Sequence, residues 1–263
     1  MSRVEGAIAA TRFGMGARPG EIDAASSDPR GWLKAQVRPD AATIPAGGLL
    51  SVKQVFEERV EAFQGMGGQG RRSGGEPTEA QRMVRQQVQR EARDSLAEEI
   101  EARSRHAATT PDSFAERWLR FWANHFTVAA RNAQTIGLVG PFEREAIRPH
   151  VFGNFQTLLG AATFHPGMLV YLDANRSIGP STQAAQRRDA GLNENLAREI
   201  LELHTVGVGS GYSQQDIIEF AKALTGWTIG TPQAARLAGG GGGQGRQAPR
   251  PLLGDTMRRP SGG

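Results

Sequence analysis

Residues 193–227 read NENLAREILELHTVGVGSGYSQQDIIEFAKALTGW, and apolar side chains recur there every three or four positions in two separate segments. That spacing is the period of an α-helix with one apolar face. It predicts helices over residues 192–205 and 213–225. Ser213 and Asp216 have the spacing of a capping box at the start of the second helix, and Gly226 is placed to stop it. The apolar face of the first helix consists of Leu192, Leu196, Ile200 and Leu203.

The same helical pattern extends through the rest of the chain up to residue 230. Ser51 and Gln54 have the spacing of a capping box, which begins a helix. Thr78 and Gln81 repeat that spacing and open a long, highly charged helix to about residue 105. No segment alternates apolar and polar residues as a half-buried strand does. The apolar stripe of the long helix comprises Val84, Val88, Ala92, Leu96 and Ile100.

Further helices are predicted between residues 110 and 172. Pro111 and Pro141 are each expected at the first position of a helix, and Pro149 is expected to stop the second one. Asn154 is placed to cap the next helix, and another is predicted from Pro166 to residue 172. We therefore predict an all-α fold, a multi-helix orthogonal bundle with a long charged helix and a disordered C-terminal tail.

The composition separates a helical body from a basic tail. The chain has 263 residues, 38% of them hydrophobic, which is enough to build a large core. It has no cysteine, so disulfides and thiolate sites are excluded. The net charge of +4 equals that of residues 231–263 alone, where five Arg accompany one Asp. Because the body is neutral, the high isoelectric point is a weak argument for nucleic-acid binding.

One domain and two Gly-rich segments follow from this composition. We predict a helical domain over residues 1–230, with a flexible insert at 64–79, and a low-complexity Gly/Arg/Pro tail at 231–263. No signal peptide and no apolar run of membrane-spanning length is visible. The expected protein is soluble and, by default, cytoplasmic.

Polar side chains lie on the apolar face of the predicted helix 192–205. Asn193 and His204 fall inside the apolar sector, and Glu199 lies at its edge. Buried polar groups need partners. These three residues therefore form either a structural hydrogen-bond network or a ligand or metal site.

The other face of that helix carries charges spaced four residues apart. Glu194, Arg198 and Glu202 form a ladder typical of a solvated helix surface. On a regular helix Glu202 and His204 point in nearly opposite directions. They are therefore not expected to bind one metal ion together.

Three more polar residues are candidates for a site. His125 shares a helix face with aromatic residues, which favours a core or interface histidine over a catalytic one. His165 precedes Pro166 and is placed to cap a helix, and Asp173 is placed in a turn. The aromatic residues on the face of His125 are Phe114, Trp118, Phe121 and Trp122.

Recognised catalytic and metal-binding motifs are missing from the sequence. It contains no HExxH, no ExxH pair on one helix, no GxSxG and no P-loop. Histidine and carboxylate ligands suit zinc, iron or manganese. If a metal is bound, the candidate ligands are His165, Glu199 and His204, and the cofactor stays unknown.

Four long motifs resemble the bacterial DUF1800 family, a domain of unknown function. They are ATRFGMGARPGEI at residues 10–22, RWLRFWANHFTV at 117–128, FEREAIRPHVFGNFQTLLGAATFHPGMLVYLDANRS at 142–177, and the stretch at 193–227 quoted above. The resemblance implies a largely helical protein without an established activity. Its motif positions in this chain are His125, His165, Asp173, Asn193, Glu194, Arg198, Glu199, Glu202 and His204.

The resemblance also implies a partner and a chain length. Genes of this family commonly neighbour those of the DUF1501 family, which is similar to sulfatases and alkaline phosphatases. This implies a DUF1501-like partner, and a periplasmic or envelope location as the alternative to the cytoplasm. Members are usually longer and continue with helical sequence, so we expect this chain to be truncated near residue 230.

Two classes of function follow, and a third is weaker. The first is an accessory or binding protein that acts with a hydrolase-like partner. The alternative is a metal-dependent or acid–base hydrolase that uses the histidines and carboxylates of the motifs. Nucleic-acid binding is the weakest, and no specific nucleic-acid partner, membrane span or oligomeric state is predicted.

Overall fold

The computed structural model describes residues 2–45, 47–64, 78–180, 191–227 and 229. Most of the predicted insert, residues 65–77, and the whole predicted tail, residues 231–263, lie outside the described residues. The described chain is helical and contains no strand, which confirms the all-α class. No helix in this part of the chain is long and apolar enough to cross a membrane.

Eleven α-helices are present in the described residues. They are α1 (Arg3–Ile8), α2 (Glu21–Ser27), α3 (Pro29–Lys34), α4 (Val52–Gln64), α5 (Glu79–Thr109), α6 (Ser113–His125), α7 (Val139–Phe142), α8 (Phe155–Phe164), α9 (Pro166–Tyr171), α10 (Asn195–Glu199) and α11 (Gln214–Leu224). Wider π-helical turns continue α1, α7 and α10 over Ala9–Phe13, Glu143–Ile147 and Ile200–His204. Short 3₁₀ turns cover Pro39–Ala42, Ile136–Leu138 and Ala174–Arg176.

The chain divides into two compact units, and the division falls within α9. The first unit is Met1–Met168 and the second is Leu169–Gly263. The largest fully buried side chains of the first unit include Phe126, Leu119, Leu138, Ile147 and Leu158. In the second unit, Ala197, Ile217 and Ala221 form a small core.

Local capping signals determine many of the helix ends. The predicted capping boxes of Thr78 before α5 and Ser213 before α11 are both present. Asn154 caps α8 by accepting a hydrogen bond from the Thr157 N–H, as predicted. Gly226 follows α11 with a φ of +100°, a conformation that glycine adopts without strain.

Two predicted helix starts are wrong by a few residues. Helix α6 begins at Ser113, so Pro111 precedes it in a turn. The Asp112 N–H donates to Thr110 Oγ1 there, which holds Asp112 outside the helix. Helix α7 begins at Val139, two residues before Pro141, because the 3₁₀ turn before it already directs the chain into the helix.

A buried ion cluster lies at the centre of the first unit. The side chain of Glu116 on α6 is 0% exposed and that of Arg148 is 2% exposed, with Arg148 Nη1 3.0 Å from Glu116 Oε2. Arg148 also donates to Glu143 Oε1 at 2.7 Å and to the Ala42 carbonyl at 3.0 Å. These contacts satisfy a buried charge that would otherwise be costly. No periodicity in the sequence predicts this cluster.

The long helix α5 is anchored by a second ion pair. Arg144 Nη2 lies 2.7 Å from Glu99 Oε1, and both side chains are about nine-tenths buried. A Cβ added at Gly140 would meet the Glu99 side chain at 2.1 Å, so only glycine fits there. Ile100, which was predicted in the apolar stripe, is 56% exposed. Glu99 is buried in its place because Arg144 neutralises its charge.

We expect acid to destabilise the first unit through His106 at the end of α5. His106 Nε2 is buried without a hydrogen bond, 3.8 Å from Glu116 Oε2. Burial lowers the pKa of His106 below 6.5, and the attraction of Glu116 and Asp112 is opposed by Arg148 and Arg120. The unfolded chain therefore binds the proton first as the pH falls, and stability present above pH 6.5 is lost below it.

The measurement is the thermal midpoint by circular dichroism between about pH 7.5 and 5.5. The His106→Gln variant should lose less stability over this range than the wild type. A His150→Gln variant is the matched control, since His150 forms no ion pair within the described chain. An equal loss in the wild type and His106→Gln would contradict the assignment.

Candidate functional site

The polar motif residues of the second unit are arranged around a π-helical turn. Leu196 and Ile200 are buried as predicted, and His204 is only 5% exposed. Leu203, predicted on the same apolar face, is instead 58% exposed. The prediction is wrong because Ile200–His204 forms a π-helical turn. In a π-helical turn each residue rotates the chain about the helix axis by a smaller angle than in an α-helix. The side chains after Ile200 therefore lie at shifted positions around the axis, which buries His204 and exposes Leu203.

The charged ladder of α10 is present and connects to the start of α11. Arg198 lies 3.2 Å from both Glu194 Oε2 and Glu202 Oε1. Gln214 receives a bond from Arg198 Nη2 at 2.9 Å and donates to Glu194 Oε2 at 2.7 Å. All three charged side chains are partly exposed, so each pair contributes a few tenths of a kcal/mol, about 0.3–0.5.

Asn193 joins three segments of the second unit. Its Oδ1 accepts from the Asn195 N–H at 2.8 Å, which starts α10 with an Asx turn. Its Nδ2 donates to the Asp173 carbonyl at 3.3 Å, and its backbone N–H donates to Ser177 Oγ at 3.1 Å. The Ser177 hydroxyl also lies 2.9 Å from Thr225 Oγ1, at the end of α11. The side chain of Asn193 is thus used in structural hydrogen bonds.

Asp173 and Glu199 have fewer contacts. Asp173 is exposed, follows α9 in a turn, and has a φ of +56°, the left-handed conformation that Asp tolerates better than most residues. Its carboxylate lies 3.8 Å from Arg176 Nη1. Glu199 is half-buried at the junction of α10 with the π-helical turn.

His165 in the first unit is held at both ring nitrogens. Its Nδ1 accepts from the Gly167 N–H at 3.0 Å, so Nε2 carries the proton and donates to Glu145 Oε2 at 3.3 Å. Glu145 Oε1 also accepts from the Val52 N–H at 2.8 Å, and so binds the start of α4. Burial raises the pKa of Glu145, but these two hydrogen bonds, together with the electrostatic attraction of His165 and Arg144, outweigh it and hold the pKa below its usual value.

His125 belongs to a cluster of aromatic rings on α6 and α8. Phe121 stacks on Trp118 with a centroid distance of 5.4 Å and on His125 at 6.4 Å. Phe155 joins the cluster through Trp122, at 5.7 Å. Phe121 is 55% exposed and Phe155 is 42% exposed. We call these five residues, Trp118, Phe121, Trp122, His125 and Phe155, the aromatic face.

The candidate metal ligands are distributed between the two units. His165 lies in the first unit, and Glu199 and His204 lie in the second. Within the described chain, no three His, Asp or Glu side chains are grouped so that they could hold a metal ion.

Sequence reasoning missed Glu145 and the exposure of the aromatic face. Glu145 contacts His165 from twenty positions away, and no local spacing reports such a contact. Phe121 has the helical spacing of a core residue, but that spacing cannot tell whether another element covers it. Two of the π-helical turns, Glu143–Ile147 and Ile200–His204, lie inside the long motifs, but only the structure shows them. Such turns are frequent at functional sites.

The order of the four motifs along one all-α chain agrees with the comparison with family models. The model described as "Protein of unknown function (DUF1800)" matches residues 8–258, nearly the whole chain. The chain belongs to the DUF1800 family. No curated protein and no solved structure matches this DUF1800 chain.

We expect Asn193→Ala to loosen the start of α10. The variant loses the bonds to the Asn195 N–H and to the Asp173 carbonyl, which should cost about 1–2 kcal/mol of stability. Urea denaturation gives the free energy of unfolding, and hydrogen exchange at residues 195–199 should become faster. Gln215→Ala, which removes an exposed bond to Glu219 on α11, is the control and should change stability by less than about 0.5 kcal/mol. Equal effects of the two variants would contradict a joining role for Asn193.

Proposed function

We propose that this DUF1800 chain is a helical binding protein that acts with a partner protein through its aromatic face. The observation that supports the proposal is the exposure of Phe121 and Phe155, at 55% and 42%, within one connected cluster of rings. Grouped apolar rings on a surface are typical of interaction sites. Aromatic residues are enriched at the centres of protein interfaces and carry much of their binding energy.

Contacts with the protein interior hold the aromatic face in place. Trp118 Nε1 donates to the Val151 carbonyl at 3.2 Å, and Trp122 packs on Phe126, which is 0% exposed. The rings of Trp118, Trp122 and His125 are only partly exposed, so they support Phe121 at the surface. A surface that is already ordered loses little conformational freedom when a partner binds.

The contacts of the polar motif residues favour binding over catalysis. His165 uses both ring nitrogens in hydrogen bonds, and Arg198 lies between two carboxylates. Asn193 bonds the Asn195 N–H and the Asp173 carbonyl. A general base needs a nitrogen or oxygen that can reach a substrate proton. The contacts instead fit structural roles: His165 and Asn193 stabilise the starts of α9 and α10, and Arg198 stabilises the charged face of α10.

We further propose that the partner is a DUF1501-like protein, similar to sulfatases and alkaline phosphatases. The family resemblance supports this partner, because genes of the two families are commonly neighbours. A hydrolase-like enzyme would supply the chemistry, and the DUF1800 chain would supply a binding surface. The compartment in which they meet is either the cytoplasm or the periplasm.

The test is binding to a purified DUF1501-like protein, measured by isothermal titration calorimetry. The double variant Phe121→Ser, Phe155→Ser should raise the dissociation constant by at least about tenfold, because it removes the exposed rings while the supporting rings remain. Circular dichroism establishes that the variant is folded.

Met83→Ser is the matched control, since Met83 is 64% exposed on α5 and lies outside the aromatic face. It should bind the partner as the wild type does. Failure of the wild-type chain to bind would contradict the proposed partner. Equal binding by the double variant and the control would contradict the assignment of the surface.

The alternative function is a metal-dependent or acid–base hydrolase. The contact between Glu145 and His165, 3.3 Å, is the observation in its favour, because a carboxylate that orients a histidine is common in catalytic sites. Elemental analysis of the purified protein separates the two functions. Stoichiometric zinc, iron or manganese that is lost in His165→Ala or His204→Ala would favour the hydrolase.

A further inference from the structure

The surface around the aromatic face has an uneven charge. From residue 117 to residue 142 the sequence contains Arg117, Arg120 and Arg131 but neither Asp nor Glu. Residues 151–168, which include α8, contain no Asp, Glu, Lys or Arg. The charged side chains within these two segments are therefore all positive.

The one carboxylate of α6 is unavailable to this surface. Glu116 is 0% exposed and is engaged by Arg148 at 3.0 Å and by Arg120 at 3.3 Å. The negative charge of Glu116 is neutralised by these arginines inside the first unit, so it does not attract or repel a partner protein at the surface. The exposed side of α6 thus keeps a basic character although the helix contains an acid.

Arg117 is an exposed charge one helical turn before the exposed Phe121 ring. It lies four residues before Phe121, which places both on one side of α6. It is exposed, and it donates to the Gly14 carbonyl at 3.0 Å. No carboxylate lies within ion-pair distance of Arg117 among the residues that the structure describes. Its charge is therefore available to a partner.

The combination of rings and arginine selects the chemistry of the partner. A basic segment would be repelled by Arg117. A purely apolar segment would remove water from the Arg117 guanidinium without supplying a hydrogen bond or an opposite charge in its place. A segment with both apolar side chains and carboxylates satisfies the rings and the guanidinium together. Arginine beside aromatic residues is also the composition of strongly binding interface positions.

Stacking within the face favours a protein over a nucleic acid. The Phe121 ring lies nearly parallel to Trp118, at 10°, and to His125, at 16°. These neighbours cover part of the Phe121 ring faces and so leave less of them for stacking by a base.

We propose that the aromatic face binds an acidic segment of the partner protein, with apolar side chains against Phe121 and Phe155 and an Asp or Glu beside Arg117. This inference rests on the proposed function and adds the chemistry of what is recognised. It requires binding that depends on both the rings and Arg117, and that weakens as salt is added.

The experiment measures binding of the full chain to soluble polymers of defined composition by fluorescence anisotropy. The probe is a fluorescein-labelled random copolymer of glutamate and tyrosine, which offers carboxylates and rings in many orders. Polyglutamate, a copolymer of lysine and tyrosine, and single-stranded oligo(dT) are the comparison probes. We expect the glutamate–tyrosine copolymer to bind most tightly.

Arg117→Glu should weaken binding of the glutamate–tyrosine copolymer by about fivefold and reduce its salt dependence. Arg90→Glu on α5 has the same change in net charge, lies away from the aromatic face in sequence, and should leave binding unchanged. Phe121→Ser should weaken binding as well. If Arg117→Glu is unfolded by circular dichroism, Arg117→Gln replaces it, because glutamine keeps a donor for the Gly14 carbonyl.

Three results would overturn the inference: no binding of the glutamate–tyrosine copolymer, tighter binding of oligo(dT), or equal effects of Arg117→Glu and Arg90→Glu. The outcome is separable from that of the proposed function. If the DUF1501-like protein binds through Phe121 but is indifferent to Arg117→Glu, the proposed function stands and the acidic segment is excluded. If the copolymer binds through Arg117 and the DUF1501-like protein does not bind, only the proposed partner is excluded.

Discussion

The ion pair between Arg148 and Glu116 is the interaction on which the first unit depends. It is fully desolvated, and removing one partner from such a pair typically costs about 3–5 kcal/mol because the other charge is left buried. The guanidinium also reaches Glu143 and the carbonyl of Ala42, so one side chain connects α6, the π-helical turn after α7 and the turn at Pro39–Ala42. Each of these segments alone is too short or too polar to be stable in isolation.

The same helix that carries Glu116 presents the aromatic face. Leu119 and Glu116 turn into the first unit with no exposed surface, while Phe121 turns out of it. The inner contacts therefore determine the orientation in which the rings are displayed. A face presented by an anchored helix is a suitable binding surface, because a partner does not have to order it first.

The second unit uses its polar motif residues in a different way. Asn193 bonds the chain after α9, the start of α10 and, through Ser177, the end of α11. The π-helical turn that follows α10 buries His204 and exposes Leu203. Asn193 and His204 are thus both part of the local structure of this second unit.

The sequence by itself determined the all-α class, the capping of α5, α8 and α11, and the charged ladder around Arg198, because each depends on the spacing of neighbouring residues. It also determined membership of the DUF1800 family, because the motifs are long. Only the tertiary structure decided that Arg148 meets Glu116, that Glu145 meets His165, and that Phe121 is left exposed. The physical reason is distance along the chain. A helix period reports which residues share a face, but the element that covers that face, or fails to cover it, comes from elsewhere in the sequence.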